Sequence, residues 1–132
     1  MPARRISEEL IRVGIGSDIK MLLNRIRAVP KAAFAKTADD RPTIQQHIDS
    51  MEVDVSQLKK TTRPLVVIDD VVTRGTSFIA AVALLGREYP GAVISAFAMV
   101  RAVGGQGTEI EVIPSSCRGT IRPDGNWGRR QP

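Results

Sequence analysis

Two apolar runs flank one helical pattern near the middle of the chain. Leu65-Val66-Val67-Ile68 is branched and apolar throughout, which predicts a parallel strand buried on both faces. Residues 76–88 place Phe78, Ile79, Val82 and Leu85 at helical spacing among alanines, and Tyr89-Pro90-Gly91 stops the helix. Residues 92–100 are a second apolar run, read as a strand parallel to the first. Strand, helix and strand make a βαβ unit, whose crossover is expected to be right-handed.

The pattern elsewhere is weaker. Ile6, Leu10 and Val13 share one face of a first helix that Ser7 caps, and Gly14 and Gly16 break it. Gly14-x-Gly16-Ser17-Asp18 looks like a nucleotide loop, but no strand precedes it. It reads as a turn in which Ser17 caps a second helix over 18–27, carrying Ile19, Leu22, Leu23 and Ile26. Residues 28–34 read as a short strand that Pro30 confines to an edge or a strand start. Residues 36–42 are polar and turn-rich, and Pro42 opens a helix carrying Ile44, Ile48 and Met51. The alternative is that 36–50 form a mobile flap. Residues 52–55 alternate as a brief edge strand, and the charged 59–63 is a solvated lead-in to the central strand. Residues 101–108 read either as a loop lining a pocket or as a plain connection, and 109–113 as a short strand. Residues 114–132 are turn-rich, with Arg118, Arg122, Arg129 and Arg130, and read as a flexible tail.

Composition narrows the class. A chain of 132 residues, 42% apolar and 25% charged, is expected to form a single soluble domain over 1–132. One cysteine, Cys117, excludes an intramolecular disulfide and a cysteine-based zinc cluster. No apolar run approaches the ~20 residues of a spanning helix, so the expectation is a cytoplasmic protein without a membrane partner. The formal charge of +5 suits anionic ligands, either phosphorylated small molecules or nucleic acid. Three Phe, one Tyr and one Trp supply a stacking surface poorly, which leaves nucleic acid the less favoured partner. His47 has no metal-binding companions, and its neighbours Gln45, Gln46 and Asp49 read as a solvated face.

The candidate chemistry sits where the central strand should emerge. Asp69 and Asp70 follow its apolar run, and Thr73-Arg74-Gly75-Thr76-Ser77 is small and hydroxylated before the helix. Ligands of open α/β sheets sit just past a strand's carboxyl end, and a helix start offers unpaired N–H groups and partial positive charge. Backbone N–H groups of residues 74–77 would cradle a phosphate. Thr73, Thr76 and Ser77 would donate hydroxyls to it and Arg74 would add charge. Gly75 would permit close approach and an unusual dihedral. The bland alternative is that the two acids only cap the helix.

Val66-Val67-Ile68-Asp69-Asp70-Val71-Val72-Thr73-Arg74-Gly75-Thr76-Ser77 resembles the signature of the type I phosphoribosyltransferases: an apolar strand, two acids, two apolar residues and a Thr- and Gly-containing turn. The resemblance covers about residues 65–101. Upstream, residues 22–55 are loosely similar to the ComF-like branch. It implies a compact α/β, Rossmann-like parallel-sheet fold in three layers, here without a legible first strand. It also implies a ligand, phosphoribosyl pyrophosphate or a nucleotide monophosphate. The 5-phosphate would lie on Thr73 to Ser77 and the ribose hydroxyls on Asp69 and Asp70, the implied catalytic pair, with Mg2+ carried by substrate oxygens. In the family a nitrogen nucleophile displaces pyrophosphate through a cationic ribose that carboxylates stabilise. Thr73 stands where purine-salvage members carry an acid, which points away from 6-oxopurines. No strand followed by a basic, small-residue pyrophosphate loop precedes Leu65, so Lys36, Arg41 or a partner subunit are the candidate pyrophosphate or flap contacts. An active transferase, a regulatory module keeping only the phosphate and ribose site, and a nucleic-acid-associated competence-type protein all stay open. Neighbouring subunits often complete the family's sites, which makes a homodimer a hypothesis.

Overall fold

The structure, a computed structural model, describes residues 1–29, 37, 40–102 and 118–131. In chain order these form α1 (Pro2–Arg12), β1 (Leu23–Arg25), α2 (Ile44–Asp49), β2 (Met51–Val53), β3 (Leu65–Val72), α3 (Thr76–Glu88), β4 (Ile94–Arg101), β5 (Thr120–Asp124) and β6 (Trp127–Gln131). The architecture is mixed α/β, built among the described residues from three two-stranded sheets: β1–β2 antiparallel, β3–β4 parallel and β5–β6 antiparallel.

The parallel pair and its crossover helix are the βαβ unit that the apolar runs predict. α3 has the predicted bounds. β3 is longer than its apolar run: it continues through the two acids to Val72, with Asp69 opposite Ala98 and Val71 opposite Val100. Val71 and Val72 are β-branched and favour the extended chain, so the ladder carries the acids inside the strand. The main core lies on one face of this pair. Leu22, Leu85 and Tyr89 are buried together, with Leu23, Val53, Leu58, Leu65, Val67 and Ile94 packed around them. Tyr89 is 2% exposed and its hydroxyl donates to the Leu58 carbonyl at 2.7 Å, which satisfies its one polar atom. On the other face Phe97 and Met99 meet Ile6 and Leu10 of α1, and Val13 at its C-cap, across an apolar cleft of about 330 Å³. Residues 94 and 97 differ in parity, so α3 and α1 cover opposite faces. Coverage by α1 is partial, since Val66 is 53% and Met99 65% exposed.

Several predicted elements take another form. α1 starts at Pro2 rather than at Ser7, because proline is pre-organised for the first helical position. Ser7 lies inside the helix and returns its hydroxyl to the Ala3 carbonyl at 2.9 Å. Gly14, at φ +82°, ends the helix: its N–H reaches the Ile11 carbonyl at 2.9 Å and that of Ile15 the Leu10 carbonyl at 2.8 Å. That is a Schellman stop, and it accounts for the first of the paired glycines structurally. The helix expected over 18–27 does not form. Leu23–Arg25 instead pairs with Met51–Val53, and Leu22 enters the α3 core. Its helical spacing of apolar residues was ambiguous over so short a run, and pairing with β2 decided it. Met51 accordingly belongs to a strand. α2 begins after Pro42, with Thr43 and Gln46 forming a reciprocal capping box, and packs on α3 as part of the fold. Most of the expected strand at 28–34 and of the 101–108 loop, and all of the expected strand at 109–113, lie outside the described residues, as do Lys36 and Cys117.

Candidate functional site

β3 delivers the chain to the turn before α3. Thr73 and Arg74 are exposed, Gly75 is buried at φ +82°, Thr76 is buried and Ser77 half-buried. Gly75 caps α3 in the left-handed region, which a side chain reaches only at a cost of roughly 1–2 kcal/mol.

The turn is covered by the C-terminal hairpin. Residues 120–131, read from sequence as a turn-rich tail, pair in register from Thr120 opposite Gln131 to Asp124 opposite Trp127. A two-residue Gly125-Asn126 turn closes the hairpin, with Gly125 at φ +58° as a type II′ turn needs. That dipeptide was the legible signal; the arginines around it masked the alternation. Hydrogen bonds fasten the hairpin to the body. Asn126 accepts from the N–H of Ile44 at 2.8 Å, Trp127 Nε1 donates to the Arg41 carbonyl at 3.1 Å, and the N–H of Gly128 donates to Thr76 Oγ1 at 3.0 Å. The contact is close because both partners are glycines. A Cβ at Gly75 would lie 2.6 Å from Ile121 Cδ1, and one at Gly128 would lie 2.7 Å from the Arg74 carbonyl oxygen and 2.9 Å from the Thr76 nitrogen. Part of the helix N-terminus expected to cradle phosphate is therefore occupied by β6.

Beside that contact a cleft of about 640 Å³ remains. Thr73 and Arg74 from the turn, with Arg101 at the end of β4 and Ala102 just past it, form one wall; Asp124, Gly125 and residues 127–130 of the hairpin form the other. It opens at the carboxyl ends of the two parallel strands, where ligands of such sheets collect. Four arginines line it, Arg74, Arg101, Arg129 and Arg130, against one carboxylate among the described residues, Asp124. Asp124 meets Arg129 only loosely, at 3.9 Å between largely exposed side chains. The cleft is thus an anion-attracting space. Of the expected phosphate contacts, Thr73 and Arg74 border it, whereas Gly75, Ser77 and Thr76, whose Oγ1 accepts from the Gly128 N–H, are not among the lining residues. Arg41 touches the hairpin through its backbone carbonyl and is not among the lining residues. Sequence reading left Arg101 undecided and placed Trp127, Arg129 and Arg130 in a tail; their return to the turn is a long-range contact without a local signal.

The acids lie upstream of the cleft in β3. Both are half-buried; Asp69 accepts the N–H of Asp70, and Asp70 that of Val71, each at 2.9 Å. Burial raises the Asp69 carboxyl above its ordinary value and the adjacent Asp70 carboxyl adds to this; the Asp70 N–H and the Arg25 guanidinium pull the other way. Each acid accepts its backbone N–H through Oδ1. Mg2+ wants six oxygens, so this pair suits an ion held mainly by water and ligand oxygens. No three His, Cys, Asp or Glu side chains come together as a metal cage among the described residues. Arg25 also donates to Ser50 Oγ at 2.8 Å and lies near His47, which is half-buried rather than solvated. Burial, then Arg25, lowers the His47 pKa. No helix among the described residues is long and apolar enough to cross a membrane.

Comparison with protein-family models, with curated proteins and with solved structures finds no match to this chain.

Proposed function

We propose that this chain binds the phosphoribosyl part of phosphoribosyl pyrophosphate or of a nucleotide monophosphate at the carboxyl end of β3, on a three-layer, phosphoribosyltransferase-like parallel-sheet fold. One observation carries the reading: the acid pair, the glycine turn and the arginine-lined cleft follow one another along the strand-to-helix connection. Asp70 and Thr73 are three residues apart, at most about 11 Å of extended chain, a distance a sugar phosphate bridges. A phosphate at Thr73 and Arg74 would take hydroxyl and guanidinium donors, and the ribose hydroxyls would donate to Asp70 and Asp69. Mg2+ bound through the ligand would sit toward the same carboxylates and neutralise phosphate charge.

Transfer of the ribosyl group to a nitrogen nucleophile would use those carboxylates to stabilise positive charge on the ring. The reading of a binding module without turnover draws support from β6, which occupies part of the phosphate cradle through Gly128. Calorimetric titration with ribose 5-phosphate and with phosphoribosyl pyrophosphate, with and without Mg2+, tests binding. Affinity lost in Asp70→Ala supports the site, and indifference to that substitution overturns it. Release of pyrophosphate in the presence of a panel of nitrogen bases separates the two readings: turnover marks a transferase, and binding without turnover marks a module.

A further inference from the structure

We propose that the C-terminal hairpin is an autoinhibitory strap, which closes the start of α3 and must lift before a phosphate settles there. This rests on the reading of the turn as a phosphate seat and adds how access to that seat is controlled.

Strap and phosphate need the same space. An oxygen accepting from the Thr76 N–H would lie about 2.9 Å from that nitrogen. A Cβ on Gly128 would also stand 2.9 Å from it, and 2.7 Å from the Arg74 carbonyl oxygen, so the β6 backbone fills the approach. Ile121 of β5 closes the other side. A Cβ on Gly75 would meet its Cδ1 at 2.6 Å and its Cγ2 at 2.7 Å.

The strap covers this helix end without satisfying it. No side chain caps α3, whose first N–H groups carry partial positive charge and call for acceptors. The hairpin brings a further donor instead, the Gly128 N–H, which is spent on Thr76 Oγ1 at 3.0 Å. Charge does not hold the strap down either. Arg129 and Arg130 line the cleft together with Arg74 and Arg101, and Arg122 stands opposite Arg129 within the ladder. Like charges directly opposite weaken an antiparallel pair, and Asp124, 3.9 Å from Arg129 on exposed side chains, offsets little. A two-stranded ribbon is marginal by itself, so the strap keeps its place through its bonds to Ile44, Arg41 and Thr76. A phosphate supplies the acceptors that the helix end lacks and therefore binds the lifted state better. Its apparent affinity is reduced by whatever fraction of the protein stays strapped.

Trp127, the one tryptophan of the chain, is half-buried in the strap and donates to the Arg41 carbonyl, so its emission reports the strap's position. Titrating the full chain with inorganic phosphate is expected to red-shift that emission as the ring enters water. Gly128→Ala pushes β6 off the Arg74 and Thr76 backbone. It should show the shift before phosphate is added and, by calorimetry, bind phosphate about tenfold more tightly. Trp127→Phe deletes the bond to Arg41 and should bind phosphate about threefold more tightly, which keeps the test open if Gly128→Ala does not fold. Phosphate affinity at or below wild type in the folded variants overturns the strap. So does an emission that bound phosphate leaves unmoved or shifts to the blue; binding by the wild type then leaves the phosphate seat standing alone. If Gly128→Ala with red-shifted emission binds no phosphate at all, the seat falls and the strap falls with it.

Discussion

The backbone N–H of Gly128 donates to Thr76 Oγ1 at 3.0 Å, joining residues 52 positions apart at the point where α3 begins. The bond gives the hydroxyl of a residue in the signature turn a structural duty and brings the last strand over the turn.

Gly128→Ala puts a methyl group against the Arg74 carbonyl oxygen and the Thr76 nitrogen. Backbone atoms cannot yield as a side chain would, so the hairpin must lift. The expected cost is about 1–3 kcal/mol, read as a lowered denaturant midpoint. An unchanged midpoint would show that the hairpin does not press on the turn.

Gly75→Ala combines a left-handed backbone with a methyl group 2.6 Å from Ile121 Cδ1. The backbone part alone costs roughly 1–2 kcal/mol. Because the steric part resides in a side chain, Ile121→Val should cost less in the Gly75→Ala background than in the wild type. A double-mutant cycle of thermal or denaturant unfolding measures that coupling.

Asp69 has a carboxyl pKa raised by burial, so the folded protein holds this proton more tightly than the unfolded chain does. Its contribution is fully present below the unfolded carboxylate pKa near 4 and is lost as pH rises through the raised folded value. Asp69→Asn should therefore flatten the fall in stability over that window. Denaturation midpoints across pH 3.5 to 7, compared with wild type, check the slope; an unchanged slope would remove the burial argument.

His47 titrates with the opposite sign. Burial, then Arg25, lowers its pKa, so the unfolded state binds the proton first as pH falls. Stability is full above the ordinary value of 6.5 and declines below it, through the depressed folded value. His47→Gln should abolish that share of the decline below about pH 6.5, measured by chemical unfolding at each pH. Arg25 bears on both His47 and Asp69, so Arg25→Gln is expected to raise both pKa values, seen by NMR titration.

The βαβ unit was legible because its signals are local. Four branched residues in a row, an amphipathic run closed by Tyr89-Pro90-Gly91 and a second apolar run need no partner elsewhere in the chain to be read. The acids and the glycine turn were legible for the same reason, as an ordered sequence along one connection. Local spacing misled at 18–27, where helical periodicity over ten residues matched a strand that only β2 could stabilise. It misled again at the C-terminus, where Arg122, Arg129 and Arg130 hid an alternating hairpin behind charge.

By itself the sequence determined the central strand, the crossover helix and the chemical character of the turn, since period, branching and glycine placement act over a few residues. The tertiary structure alone decided what faces that turn. Gly128 lies against Thr76, Ile121 against Gly75, and Arg129 and Arg130 line the same cleft as Arg74 and Arg101. These are contacts across some fifty residues of chain. They rest on the steric fit of a strand over two small residues, which has no periodicity for a sequence to display.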